Sequence, residues 1–117
     1  MDDYGGLLEG VLTYGDGCAR YALRGELDVA NAERLFGRLA GLIQAGGGHL
    51  ELDLADVAFI DSTGIRTLMQ LRVIAAGCGG DMLILRPSPP VVRIIRLAGL
   101  DENLPIAGGV RWEDLES

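Results

Sequence analysis

Asp61-Ser62-Thr63-Gly64 is the stretch where side chains capable of chemistry stand together at a structural junction. The apolar run through Phe59-Ile60 stops at Asp61. Two hydroxyls and a glycine then precede a segment with helical periodicity. A strand that runs into a helix in this way puts a hydroxyl at the helix entrance. Ser or Thr there caps the helix by accepting an orphan backbone N–H. The same place tolerates a phosphate, because the free N–H groups and the dipole of a helix start favour negative charge. Ser62 therefore has two readings, a cap or a modifiable hydroxyl.

Other chemistries find little support. A serine hydrolase needs a base and a group that orients it. Ser62 has no G-x-S-x-G around it, and the single histidine, His49, follows three glycines at the starting end of its strand, where an exposed loop residue is expected. A phosphate-binding P-loop needs a lysine, and all ten basic residues are arginine. Gly46-Gly47-Gly48 precedes a strand rather than a helix, so it builds no phosphate cradle. Asp28 and Asp61, both at strand ends, form the one carboxylate pair worth weighing for catalysis, but no orienting histidine accompanies them. Cys18 and Cys78 make no C-x-x-C, which argues against a metal site. No cofactor is expected.

The composition narrows the partners. The net charge of −7 and the lack of any basic run argue against nucleic acid and against an anionic membrane surface. No apolar stretch has membrane-spanning length, and Met-Asp-Asp-Tyr-Gly-Gly lacks the features of a signal peptide, so a cytoplasmic protein with reduced thiols is expected. Half of the residues are hydrophobic and few are aromatic, so the core must be built mainly from Leu, Ile, Val and Ala.

The elements that position the junction follow from periodicity. Residues 1–6 read as a loose tail, and 7–117 as one domain. Leu7 to Tyr14 and Cys18 to Arg24 read as strands joined at Gly15-Asp16-Gly17, a hairpin signal. Gly25-Glu26-Leu27-Asp28 leads into a helix that either Asp28 or Asn31 could cap. Leu35, Phe36, Leu39, Leu42 and Ile43 form its apolar stripe. Residues 49–54 alternate as a strand, and Ala55 to Ala58 turn it or carry it on to Phe59-Ile60. The second helix runs from about Thr63 to Ala76. Its expected buried stripe is Ile65, Leu68, Met69, Val73 and Ala76, which leaves Thr63, Arg66, Thr67 and Gln70 for solvent or a partner. Met82 to Leu85 is an apolar strand. Pro90 suits the first turn of a third helix, and Gly99 ends it. Residues 104–107 read as a short edge strand, and 110–115 as a last short helix. The order β-β-α-β-α-β-α-β-α implies an α/β domain. Its sheet is mixed, with an N-terminal antiparallel hairpin, mostly parallel strands and about four helices.

With these residues in view, the chain resembles the anti-sigma-factor antagonists of the STAS domain family. The resemblance is carried by Gly25-Glu26-Leu27-Asp28, Leu52-Asp53-Leu54, Phe59 to Ile65, Pro87-Ser88-Pro89, Val92-Arg93-Ile94-Ile95 and Gly99-Leu100, across roughly residues 7–107. It implies a single STAS-type domain with no catalytic function. In such proteins the unmodified antagonist binds an anti-sigma factor that is also a serine kinase, which frees the sigma factor. Phosphorylation of the junction serine, Ser62 here, ends binding, and a metal-dependent serine phosphatase resets the switch. The exposed stripe of the second helix, which begins at this serine, and the nearby loop at Asp28 give the expected partner surface: Asp28, Asp61, Ser62, Thr63, Gly64, Arg66, Thr67 and Gln70. Arg66 departs from the small residue frequent there in the family. The same domain type also serves as a static interaction module in lipid-transport or signalling assemblies.

Overall fold

The computed structural model describes residues 1–15 and 17–115. Among the described residues, five strands form one sheet: β1 (Asp2–Asp3), β2 (Leu8–Gly15), β3 (Cys18–Leu27), β4 (Leu50–Ile60) and β5 (Met82–Leu85). Their spatial order follows the chain, β1-β2-β3-β4-β5. The first three pair antiparallel, and β3-β4 and β4-β5 pair parallel. Two crossover helices, α1 (Ala32–Ala45) and α2 (Ser62–Gly77), join the parallel strands. Both crossovers step in the same direction across the sheet, so their common right-handedness puts both helices on one face, where they pack on each other. The mixed sheet with its antiparallel N-terminal hairpin is the architecture that the periodicity implies. The hairpin closes between Gly15 and Cys18; Asp16 of the expected turn lies outside the described residues.

Each helix has an identifiable start and stop. α1 buries Ala32, Leu35, Leu39 and Ile43 at helical spacing and stops at Gly46. α3 (Pro89–Ala98) begins with two prolines after Ser88 and ends at Gly99, whose φ of 70° lies in the left-handed region that glycine adopts at low cost. Ser88 is buried and pins α3 to β4, its amide donating to the Leu54 carbonyl at 3.1 Å and its hydroxyl to that of Val57 at 2.5 Å.

Four expectations are corrected. Residues 1–6 are not a loose tail, because Asp2 and Asp3 pair with Gly10 and Glu9 and Tyr4 is buried in the core. About four helices become three α-helices among the described residues, with 3-10 turns at Ala107–Gly109 and Trp112–Asp114 in place of a last helix. The edge strand at 104–107 shrinks to one parallel bridge between Ile84 and Ile106. The stripe on α2 is one residue out of phase: Gly64, Thr67, Leu68, Leu71 and Ala75 are buried with Ile65, whereas Val73 and Ala76 are exposed. That helix is apolar around most of its circumference, so periodicity alone does not set its rotation.

The N-terminal segment is held by a tyrosine latch. The Tyr21 hydroxyl donates to Asp2 Oδ2 at 2.6 Å and shares a short hydrogen bond with the Tyr4 hydroxyl. Arg38 pairs with the same carboxylate at 3.2 Å. Burial, and then the bonds to Asp2 and Tyr4, push the Tyr21 phenol far above its ordinary value of 10.0. The folded chain thus keeps a proton that the unfolded chain loses above about pH 10. The latch is fully stabilising below that pH and loses its contribution above it, by up to about 1.4 kcal/mol per pH unit. Urea midpoints between pH 8 and 11.5 are expected to fall more steeply for the wild type than for Tyr21→Phe. Equal slopes would show that the latch does not hold the proton.

Candidate functional site

The ends of β3 and β4 and the start of α2 meet at the junction. Leu27 and Ile60 are register partners, and the Asp61 amide donates to the Leu27 carbonyl at 3.2 Å, which ties the two strand ends together. Asp61 then turns the chain. It has extended backbone angles, and its Oδ1 accepts the Gly64 amide at 2.9 Å. The cap is therefore the aspartate, and neither hydroxyl is needed for it. Aspartate is among the strongest N-cap residues, and its charge also suits the helix dipole. Ser62 and Thr63 become the first and second residues of the helix.

Gly64 explains the close approach of α2 to the strands. A Cβ there would lie 2.8 Å from Ile60 Cγ1, 2.9 Å from Leu27 Cγ and 3.0 Å from the Leu27 carbonyl oxygen. Only a bare Cα lets the first helical turn settle on both strand ends. This contact also sets the rotation of α2 and brings Leu68, Leu71 and Ala75 into line behind Gly64.

The remaining predicted residues divide by burial. Ser62, Arg66 and Gln70 are exposed, and Asp28, Asp61 and Thr63 are half-buried. The Ser62 hydroxyl makes no hydrogen bond among the described residues. Asp28 Oδ1 accepts the Ala30 amide at 3.0 Å and so shapes the β3-α1 turn. Neither Asp28 nor Asn31 makes a side-chain cap to α1. Asn31 is fully buried and braces the turn instead, accepting from the Asp28 amide at 3.0 Å and donating to the Glu26 carbonyl at 2.9 Å. Two expectations of the partner face change. Thr67 is buried, its hydroxyl donating to the Thr63 carbonyl at 3.0 Å, and Gly64 is buried with its amide already engaged, so neither offers a side chain to a partner.

In their place the structure exposes apolar surface. A groove runs along α2 from Ser62 past Arg66, Met69 and Gln70 to Val73 and Ala76, with Asp81 and Asn103 on its far wall. Val73 is 73% exposed, which is unusual for a β-branched residue in an otherwise well-packed helix. The signal for this surface was present in the sequence as a helix with more apolar positions than one buried face can use.

A sequence model of the STAS domain family matches residues 12–111. The anti-sigma F factor antagonist of Paenibacillus polymyxa is 29% identical over 85 residues, which cover 72% of this chain and 73% of that one. The crystal structure of an anti-sigma factor antagonist from Mycobacterium paratuberculosis is 25% identical, covers 86% of both chains and superposes with a TM-score of 0.73. The fold is also that of the anti-sigma factor antagonist SpoIIAA in its unphosphorylated form, with a TM-score of 0.68 and 20% identity over 92% of this chain and 93% of that one. SpoIIAA from Bacillus in the phosphorylated form superposes with a TM-score of 0.63 at 19% identity, covering 92% of this chain and 96% of that one. Among the described residues, no helix is long and apolar enough to cross a membrane.

Proposed function

This chain belongs to the STAS domain family, and on that premise we propose that it is an anti-sigma-factor antagonist switched by phosphorylation of Ser62. The unmodified chain binds an anti-sigma factor with serine kinase activity and releases the sigma factor. Phosphate on Ser62 ends binding, and a metal-dependent serine phosphatase restores it. The names of the relatives support the first step. The second rests on one observation: Asp61 takes the cap, so the Ser62 hydroxyl is exposed and has no structural duty. A hydroxyl that the fold does not use can be modified without unfolding the domain.

The geometry also favours Ser62 over Thr63. Ser62 is exposed and Thr63 half-buried, and the β-branched Thr63 side chain is held more stiffly by the helical turn. A kinase must bring its nucleotide phosphate into line with the accepting oxygen, which favours the more reachable group. The peptide from Leu39 to Arg66, released by cleavage after arginine, contains Ser62 and Thr63 as its only hydroxyl side chains. After treatment with an anti-sigma-factor kinase and ATP, fragmentation mass spectrometry of that peptide is expected to place the phosphate on Ser62. Phosphate on Thr63 with Ser62 unmodified would overturn the assignment. A peptide left unmodified, with the antagonist bound, would favour a static interaction module.

A further inference from the structure

Arg66 follows Ser62 by four residues, so the two side chains neighbour each other on the surface of α2. Side chains on a helix lean toward its N-terminus, so the long Arg66 side chain can reach back toward the turn that carries Ser62. Both residues are exposed, and both line the same groove. Arg66 has no ion pair or hydrogen bond among the described residues. Arg72, farther along the helix, is already held by Asp81 at 3.2 Å and by the Asn103 carbonyl at 2.7 Å.

We propose that Arg66 is the receptor, within the chain itself, for a phosphate on Ser62. The proposal rests on the reading of Ser62 as the modified residue. A phosphoserine carries about −1.5 to −2 charges and three acceptor oxygens, and a guanidinium fork binds such oxygens two at a time. Carboxylates also stand near the junction: Asp61, directly before Ser62, Asp28, just past the end of β3, and Glu26, the register partner of Phe59. Arg66 is the cation placed to answer the phosphate against them. Phosphorylation then changes the surface twice. It installs an anion, and it withdraws the arginine that the unmodified chain presents beside the serine hydroxyl.

The test is a phosphorus NMR titration of the chain carrying phosphoserine at position 62, installed during translation, beside the same chain with Arg66→Gln. Asp61, Asp28 and Glu26 are common to both samples, so the difference isolates Arg66. The second ionisation of the phosphate, ordinarily near pH 6, is expected at least about half a pH unit lower in the wild type. Arg66→Lys is expected to fall between the two, because a lysine keeps the charge and loses the fork. Equal midpoints for wild type and Arg66→Gln would overturn the proposal. If phosphorylation still abolishes partner binding in that case, the switch stands and only the role of Arg66 is lost. If phosphorylation leaves partner affinity unchanged, the switch itself fails, whatever the midpoints.

Discussion

The chain phosphorylated on Ser62 is expected to bind an anti-sigma factor at least ~100-fold more weakly than the unmodified chain, a loss of about 2.7 kcal/mol. The domain is expected to stay folded. Of the four amides left free by a helix start, that of Asp61 is bound by the Leu27 carbonyl and that of Gly64 by the Asp61 side chain. The amides of Ser62 and Thr63 remain, on the side where a phosphate on Ser62 would stand. The phosphate therefore meets the favourable end of the helix dipole and leaves the Asp61 cap in place. The interface suffers instead. Ser62 heads an apolar groove, and an anion there must shed its water on docking without a partner selected to receive it. Ser62→Ala keeps the contact surface and cannot be modified, so it is expected to bind like the wild type and to resist inactivation. Ser62→Asp supplies less charge and fewer acceptors, and is expected to bind weakly. Calorimetry of the four proteins against one anti-sigma factor, with melting curves to show that each is folded, measures this directly. Equal affinity of the modified and unmodified chains would sink the switch.

Alternation and helical spacing were enough to place β2 to β5 from the sequence, because a half-buried strand and a one-sided helix each leave a distinct period. β3 shows this well: Ala19, Tyr21 and Leu23 are buried while Arg20 and Arg24 face out. The junction was legible in its place and only partly in its geometry. Asp, Ser and Thr are all good caps, so three consecutive candidates leave the first helical residue undetermined until the tertiary contact of Gly64 selects Asp61. The rotation of α2 was lost for a related reason, since it depends on what Gly64 touches and not on any pattern within the helix. Tyr4 was missed because one aromatic among glycines and aspartates carries no period, and its partner Tyr21 lies 17 residues away. Asp53 looked like the outward member of an alternating strand. It is buried, paired with Arg86 and bonded to the Ala55 amide at 3.0 Å. A carboxylate neutralised from a distant segment cannot be told from a solvated one by its neighbours in sequence.

Gly25→Ala is expected to destabilise the domain by ~3 kcal/mol or more, the larger part of the margin that holds many single domains folded. Two independent terms act on that residue. Its φ of +112° lies in a region that L side chains rarely adopt, and such backbone strain costs on the order of 1–3 kcal/mol. An added Cβ would also stand 1.7 Å from the Leu7 carbonyl oxygen and 2.9 Å from its carbon. Those are backbone atoms, so no rotamer change relieves the contact, and overpacking of this kind adds roughly 1–3 kcal/mol. The Leu7 carbonyl cannot simply retreat, because it accepts the Glu26 amide at 2.9 Å. The strain reaches the site through β3. Gly25 precedes Leu27 by two residues, and the Leu27 carbonyl anchors Asp61 while its side chain meets Gly64. Moving the end of β3 therefore loosens the junction that presents Ser62. Chemical denaturation of Gly25→Ala should show the midpoint falling with the slope unchanged. Gly37→Ala is the control, since Gly37 lies within α1 with nothing within 4 Å of an added Cβ. It is expected to gain as much as ~1 kcal/mol from the better helix propensity of alanine. A Gly25→Ala protein as stable as the wild type would show that β2 and β3 can part at this point without cost, and that the glycine of the Gly-Glu-Leu-Asp segment is not what holds the site in register.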